Sequence, residues 1–377
     1  MAGSTENGPN GSGYDGHDQP GHDGHDGHEG PGHDGYDRQQ EQDGYQEYDE
    51  SEDYRVRPRR PLRRKVLTGL LVLAVVAAVV LFINRKQLIP LPEGCKVNTT
   101  AGQGSLDIAQ ASNAATITAV TIARGLPERA ATIALATAMQ ESKLRNLAGG
   151  DRDSVGLFQQ RPSQGWGTAE QIQDPVYATN KFLDSLVRVP GYASLPLTDA
   201  AQAVQKSGYP QAYAKHETNA TLLASVFTGR SPAALDCVVH EFVAAPAADG
   251  TPAADAAAAS AAPASAQSPG VADRVRREFG RAVVAAPAAK ADKDPRTVLA
   301  VTPQAAAGTA SGPDAQRQGG WAVAQWAVAH SQELGIGVVA YDGKVWSFDK
   351  PGDGWQAKTP AASADQVLIT VGAPAKH

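Results

Sequence analysis

Long hydrophobic runs are almost absent from this 377-residue chain, which removes a whole class of function. Only "VLTGLLVLAVVAAVVLFI", Val66 to Ile83, is apolar for long enough to cross a bilayer, so the chain holds no polytopic transport pathway. Aliphatic side chains are nearly missing from residues 1–54, where units such as "GHDGHDGHEGPGHDG" repeat. A segment with so little to bury cannot offset its chain entropy and reads as disordered. Its acidic residues supply much of the net charge of -6, so that charge does not describe the folded part. No nucleic-acid-binding signature appears, and none is expected among the partners. Cysteine is scarce too, with Cys95 and Cys237 alone. Both follow the apolar run, and in an oxidising compartment they most simply form one disulfide; two unpaired buried thiols are the alternative.

What is present begins with an abrupt change of chemistry. "RVRPRRPLRRK" (Arg55 to Lys65) precedes the eighteen uncharged residues, which as a helix cover roughly 27 Å. No small-x-small cleavage site follows the run, so it reads as an anchor rather than a signal peptide. The basic cluster keeps its own side cytoplasmic. The expected topology is a single-pass cell-membrane protein, N-terminus inside and C-terminal domains outside. The five histidines between His17 and His33 can hold a divalent cation loosely or simply belong to a hydrophilic tail.

Beyond the membrane, apolar residues recur at helical spacing. "LDIAQASNAATITAVTIARG" stops at Gly125, and Pro127 sits where a first helical turn accepts proline. "PERAATIALATAMQES" continues as an alanine-rich helix, and "RNLAGGDRDSVG" is a loop. "DPVYATNKFLDSLVRV" breaks at Pro190; "LTDAAQAVQKSG" starts with Thr198 as its N-cap and ends at Gly208. The expected fold class is mainly α. A helical domain (residues 95–240) follows the tail (1–58) and the basic flank with the membrane helix (59–86). An Ala/Pro linker (241–271) then leads to a small α+β domain (272–377). In that last domain "WAVAQWAVAHSQELG" reads as a helix, "GVVAYDGKVWSF" as a hairpin turning at Asp342-Gly343, and "DQVLITV" as a strand.

Glu141 closes the alanine-rich helix, at its negative pole, where exposed carbonyls and an apolar wall favour the protonated carboxyl. Such a group suits protonation of a glycosidic leaving oxygen. Downstream, Phe158, Trp166 and Tyr177 are aromatic platforms for sugar rings, and Gln159, Gln160 and Asn180 supply amides. Glu141-Ser142 followed by "SVGLFQQ" (Ser154 to Gln160) resembles the lysozyme-like family of lytic transglycosylases. That resemblance covers about a third of the chain and implies a lysozyme-like domain acting on peptidoglycan, without metal or other cofactor. It makes Glu141 the sole catalytic acid/base and sets Ser142, Ser154, Gly156, Phe158, Gln159 and Gln160 at the substrate, with Trp166 and Tyr177. Asp151 and Asp153 lie where a hydrolase keeps a second acid, so simple hydrolysis stays open.

The family's later Ala-Tyr-Asn-Ala-Gly stretch has no counterpart in register. The corresponding segment is "AQAVQKSGYPQAYAKHE", which leaves Tyr209 or Tyr213 to supply the tyrosine from another backbone position. "GDRDSVGLFQQRPSQGWG" also resembles an actinobacterial type of membrane protein. The C-terminal "GWAVAQWAVAHSQELGI" with "AYDGKVW" is similar to a domain of secreted actinobacterial cell-wall proteins related to metallopeptidases. Its relatives end in Asp-His-Val-His-Val; here Asp365-Gln366-Val367-Leu368-Ile369 lacks both histidines, "DPRTVLAVTP" lacks the upstream ligands, and His330 stands alone on a helix as a surface or packing residue. This domain reads as a degenerate, metal-free relative. Three functions follow: an anchored enzyme cleaving peptidoglycan through Glu141, a non-catalytic peptidoglycan-binding module, and an envelope assembly protein whose tail recruits cytoplasmic partners.

Overall fold

The computed structural model describes residues 62–88, 91–243, 268–288, 296–304, 312–358 and 363–372. The expected disordered tail (1–58), with its histidines, and most of the expected linker lie outside the described residues. The chain forms two compact units, Met1–Val72 and Leu73–His377, divided within helix α1 (Leu62–Leu88). Arg63–Phe82 of α1 is long and apolar enough to cross a membrane, and none of it is buried.

In the second unit, β1 (Gly94–Thr99) and β2 (Gly102–Leu106) lead into α2 (Ile108–Ala123). Asp107 caps α2 reciprocally with Gln110, each side chain holding the other's backbone N–H. Helix α3 (Glu128–Ser142) has Pro127 at its N-cap and buries every residue from Ala130 to Ala138. Its alanines let α2 and α7 (Glu217–Phe227) approach closely. Between them come α4 (Ala169–Gln173), α5 (Pro175–Leu186), α6 (Leu197–Gln205) and a 3-10 helix, Pro210–His216. Asp174 caps α5 and Pro175 opens it. Thr198 is not the cap of α6: Pro196 occupies that position and Thr198 is buried as the second residue of the helix.

The fold is mixed α/β, and the expectation of a mainly α protein with a small C-terminal domain is corrected on that account. Two antiparallel sheets are present among the described residues. The first, ordered β2-β1-β3, adds β3 (Leu235–Val238) to the opening hairpin. Its strands are too short to print alternation in the sequence, since β1 buries only Cys95 and Val97. Cys95 and Cys237 face each other across β1 and β3 and are joined by a disulfide. Closing 142 residues, that bond removes chain entropy from the unfolded state worth roughly 5 kcal/mol at most.

The second sheet has six strands in the order β4-β5-β9-β6-β7-β8. They are β4 (Val283–Pro287), β5 (Thr297–Pro303), β6 (Ile336–Tyr341), β7 (Lys344–Ser347), β8 (Gln356–Ala357) and β9 (Val367–Val371). Strand β4 hides in alanine-rich sequence that carries no period. Helix α8 (Ser268–Phe279) begins inside the segment read as linker. The hairpin turn at Asp342-Gly343 has both residues in the left-handed region, as its chemistry predicts.

Helix α9 (Pro313–Ala329), followed by the single turn α10 (Ser331–Leu334), is buried on all sides from Gly320 to Ala329. It touches α2 and α7 on one side and β5, β6 and β9 on the other, so one continuous core serves helices and sheet. Gln325 is fully buried and uses its whole amide. Its Oε1 accepts from the N–H groups of Ala234 (2.8 Å) and Leu235 (3.0 Å), and its Nε2 donates to the carbonyls of Val226 (2.6 Å) and Ser231 (3.1 Å). His330 is buried as well, stacked on Trp326 and 3.3 Å from Thr116 Oγ1 of α2. Beside it Glu278 accepts from Trp326 Nε1 at 2.7 Å and pairs with Arg274, which also reaches Glu333.

Gln325→Leu keeps the volume but strands two buried N–H groups and two carbonyls, so urea unfolding should show a loss of about 3 kcal/mol. Burial, reinforced by the Arg274 charge and opposed by Glu278, holds the His330 imidazole below its ordinary 6.5. The unfolded chain takes that proton near 6.5 and the folded chain only at lower pH. Stability is therefore complete above 6.5 and falls as the pH drops from 6.5 through the folded value. Melting temperatures on either side of that value should differ less for His330→Gln than for the natural chain; an unchanged slope would assign acid sensitivity elsewhere. His216, also held low by burial, keeps a share of the slope in the variant.

Candidate active site

Helix α3 ends at Ser142 because Lys143 and Leu144 both turn left-handed, with φ of 55° and 59°. The Lys143 N–H bonds Met139 O and the Leu144 N–H reaches back to Ala138 O, closing the helix end with the Leu144 side chain buried. The two carbonyls turned outward by this exit are met from α2: Gln110 Nε2 donates to Lys143 O and Asn113 Nδ2 to Leu144 O, each at 2.8 Å. Ser142, buried, lies within bonding distance of Ala138 O (3.0 Å) and Leu157 O (2.7 Å), which pins the following loop to the helix end.

The loop itself closes by paired backbone bonds between Val155 and Gln160. Gly156 at φ 79° begins the turn, and a Cβ there would lie 2.7 Å from Ile172 O, so only glycine fits. Ser154 Oγ donates to Gln159 Oε1 at 3.0 Å, and Gln160 Nε2 to Ala178 O at 3.2 Å. Phe158 is fully buried, stacked on Phe182 at 4.7 Å, and has no face for a sugar. Ser142, Ser154, Gly156, Phe158 and Gln160 thus shape the loop from inside. Glu141, Gln159, Trp166 and Tyr177 are the members of the expected set that reach solvent, with Tyr177 donating to Trp166 O at 3.2 Å. Asn180 is not free for a ligand, because its side-chain amide donates to Val176 O and Arg124 reaches its backbone carbonyl and side chain. Asp153 is engaged at both oxygens, by Arg161 Nε and the Ser163 N–H at 2.8 Å each. Those partners hold its carboxyl well below the usual carboxylate range. Asp151 is exposed.

The sequence left the tyrosine open between two positions, and the structure selects Tyr213. It is buried in the 3-10 helix Pro210–His216, and its hydroxyl donates to Glu141 Oε1 at 2.7 Å. Tyr209, by contrast, is 78% exposed. Burial first, then the bond and charge of Glu141, push the Tyr213 phenol far above its ordinary range, so it remains a donor. One turn on, His216 Nε2 meets Gln140 Oε1 at 3.1 Å, so a single 3-10 segment grips two successive residues of α3. A proline-led segment after a helix, with a tyrosine three residues past its proline, was the available signal.

Among the described residues no group of three His, Cys, Asp or Glu side chains converges as a metal site. A family model described as the VldE C-terminal domain matches residues 304–367, from the end of β5 through α9 and the β6–β8 hairpins to the first residue of β9. The match lies wholly downstream of Glu141 and Tyr213. No curated protein matches the chain.

Tyr213→Phe should lower unfolding free energy by about 1–2 kcal/mol, as expected for a buried bond to an acidic group. A double-mutant cycle with Glu141→Gln should give a coupling of about 1 kcal/mol or more. A coupling of zero would mean the two side chains do not interact in solution.

Proposed function

We propose that this protein is a membrane-anchored enzyme that cleaves peptidoglycan glycan strands outside the cell, with Glu141 as its acid/base, in the manner of lysozyme-like lytic transglycosylases. The single observation that carries the reading is the 2.7 Å bond from Tyr213 to Glu141. It fixes one carboxyl oxygen from the protein side and leaves Oε2 to exchange a proton with a ligand. On this reading Glu141 gives its proton to the oxygen between N-acetylmuramic acid and N-acetylglucosamine as that bond breaks. The resulting carboxylate then takes the proton of the muramyl 6-hydroxyl, whose oxygen closes on the anomeric carbon to form a 1,6-anhydro ring. No second carboxylate takes part, and Asp153 is already committed to its own loop. The orientation follows from α1 and the basic cluster before it: N-terminus inside, the chain beyond α1 outside.

A second reading, a peptidoglycan-binding module without turnover, is favoured by the inward turn of Ser154, Phe158 and Gln160, which leaves few groups to hold a sugar in a reactive pose.

Full-length protein in detergent micelles, incubated with isolated cell-wall sacculi, separates the two. Mass spectrometry should find anhydro-muropeptides, at a rate about 100-fold or more lower for Glu141→Gln. Reducing ends would instead make it a hydrolase. Co-sedimentation without soluble product would leave the binding module.

A further inference from the structure

A cavity of about 550 Å³ lies against the loop that carries the Glu141 site. Gln205 and Trp166 both line it. Gln205 Nε2 donates to Phe158 O at 2.9 Å, while Ser142, next to Glu141, reaches Leu157 O. Cavity and candidate acid are therefore tied to successive residues of one loop.

The lining is cationic. Lys181, Arg188 and Lys206 contribute three positive charges against a single carboxylate, Asp184, which is already paired at 2.8 Å with Arg124, a residue outside the lining. Among the described residues none of the three cations is paired with a carboxylate; Lys181 lies over the Tyr177 ring, 5.4 Å from its centre. Lys181, Asp184, Ser185 and Arg188 all line the cavity and stand at i, i+3, i+4 and i+7, a stripe along one face of α5 and the turn beyond it. Lys181 and Arg188 are thus separated by roughly 10 Å along the helix axis. A lone anion meets one end of that stripe; a chain carrying several carboxylates meets both.

We propose that this cavity binds an acidic peptide attached to the glycan, so that the enzyme takes peptide-bearing strands in preference to bare ones. This rests on the glycan-cleavage reading above, and it adds a substrate class: a saccharide substituted with a peptide that has at least two free carboxylates.

The test uses full-length protein in micelles and a tetrasaccharide of alternating N-acetylglucosamine and N-acetylmuramic acid, with and without a synthetic tetrapeptide of two free carboxylates. The peptide-bearing form should bind about 10-fold tighter, with each of Lys181→Gln, Arg188→Gln and Lys206→Gln costing about 2- to 5-fold, as partly exposed ion pairs do. The triple variant should lose the preference while keeping its melting temperature and its affinity for the bare tetrasaccharide. The preference should also shrink as salt rises to about 0.5 M, where the screening length approaches a few ångströms. Equal binding of the two saccharides, equal binding of a carboxamide peptide, a preference surviving in the triple variant, or displacement of the peptide by equimolar inorganic phosphate would each overturn the assignment. The free tetrapeptide separates this assignment from the catalytic one. If it binds through the three cations while sacculi stay uncut, the Glu141 reading fails alone. If bare and substituted strands are cut alike, the cavity reading fails alone.

Discussion

The described architecture of the second unit depends on a helix that cannot face water on any side. From Gly320 to Ala329, α9 is buried all round, and a helix apolar through its whole circumference has to be covered by two layers. The six-stranded sheet supplies one layer, and α2 with α7 supplies the other. Burying α9 also buries the polar backbone between α7 and β3, and the Gln325 amide resolves this by meeting two N–H groups and two carbonyls. Close approach is part of the same constraint. At Gly229, φ 79°, a Cβ would stand 1.9 Å from the Gln318 carbonyl of α9, so any other residue forces the two segments apart.

That constraint reaches the candidate site through α2 and α3. Helix α9 packs on α2, whose Gln110 and Asn113 amides meet the carbonyls that the left-handed exit of α3 turns outward. Without such partners two consecutive left-handed non-glycine residues carry a steric cost and leave polar groups unpaired. With them the exit is a fixed point, and the carboxylate one residue before it has a fixed origin. Tyr213 then sets its direction from a segment 72 residues away in sequence.

The helices were legible in the sequence because their period is local and Gly125 and Pro127 punctuate α2 and α3, whereas the caps Asp107 and Asp174 show only in the structure. The first sheet was not, since Cys95 and Val97 are too few to declare an alternation. The cysteines themselves pointed to the contact that joins β1 to β3. Strand β4 and the start of α8 were hidden by alanine and proline, residues that populate linkers and element ends alike. At the site, Glu141 stood out by motif, and Tyr213 stood as one of two candidates. The inward or outward turn of each loop residue was beyond reach, because Phe158 beside Glu141 reads as a sugar platform until Phe182 is placed on its face. His330 shows the same limit in another form: its pairing with Thr116 spans 214 residues, and nothing near it in sequence announces burial.

The loop's acids bear on which chemistry one glutamate can do. A hydrolytic mechanism with two carboxylates needs the second one free to face the sugar ring or to hold a water. Asp153 has both oxygens engaged within its own loop, by a guanidinium and a backbone N–H, and turning it toward a ligand would break both bonds. Asp151, two residues earlier, is exposed and lies ahead of the turn that Gly156 begins. A catalytic scheme built on Glu141 alone makes no demand on either. Its demand falls instead on keeping one carboxyl group in a single orientation through two proton transfers. A buried phenol that holds its own proton and donates to one oxygen meets that demand, while the other oxygen is left for the sugar. On the proposed reading, the substrate therefore supplies its own nucleophile.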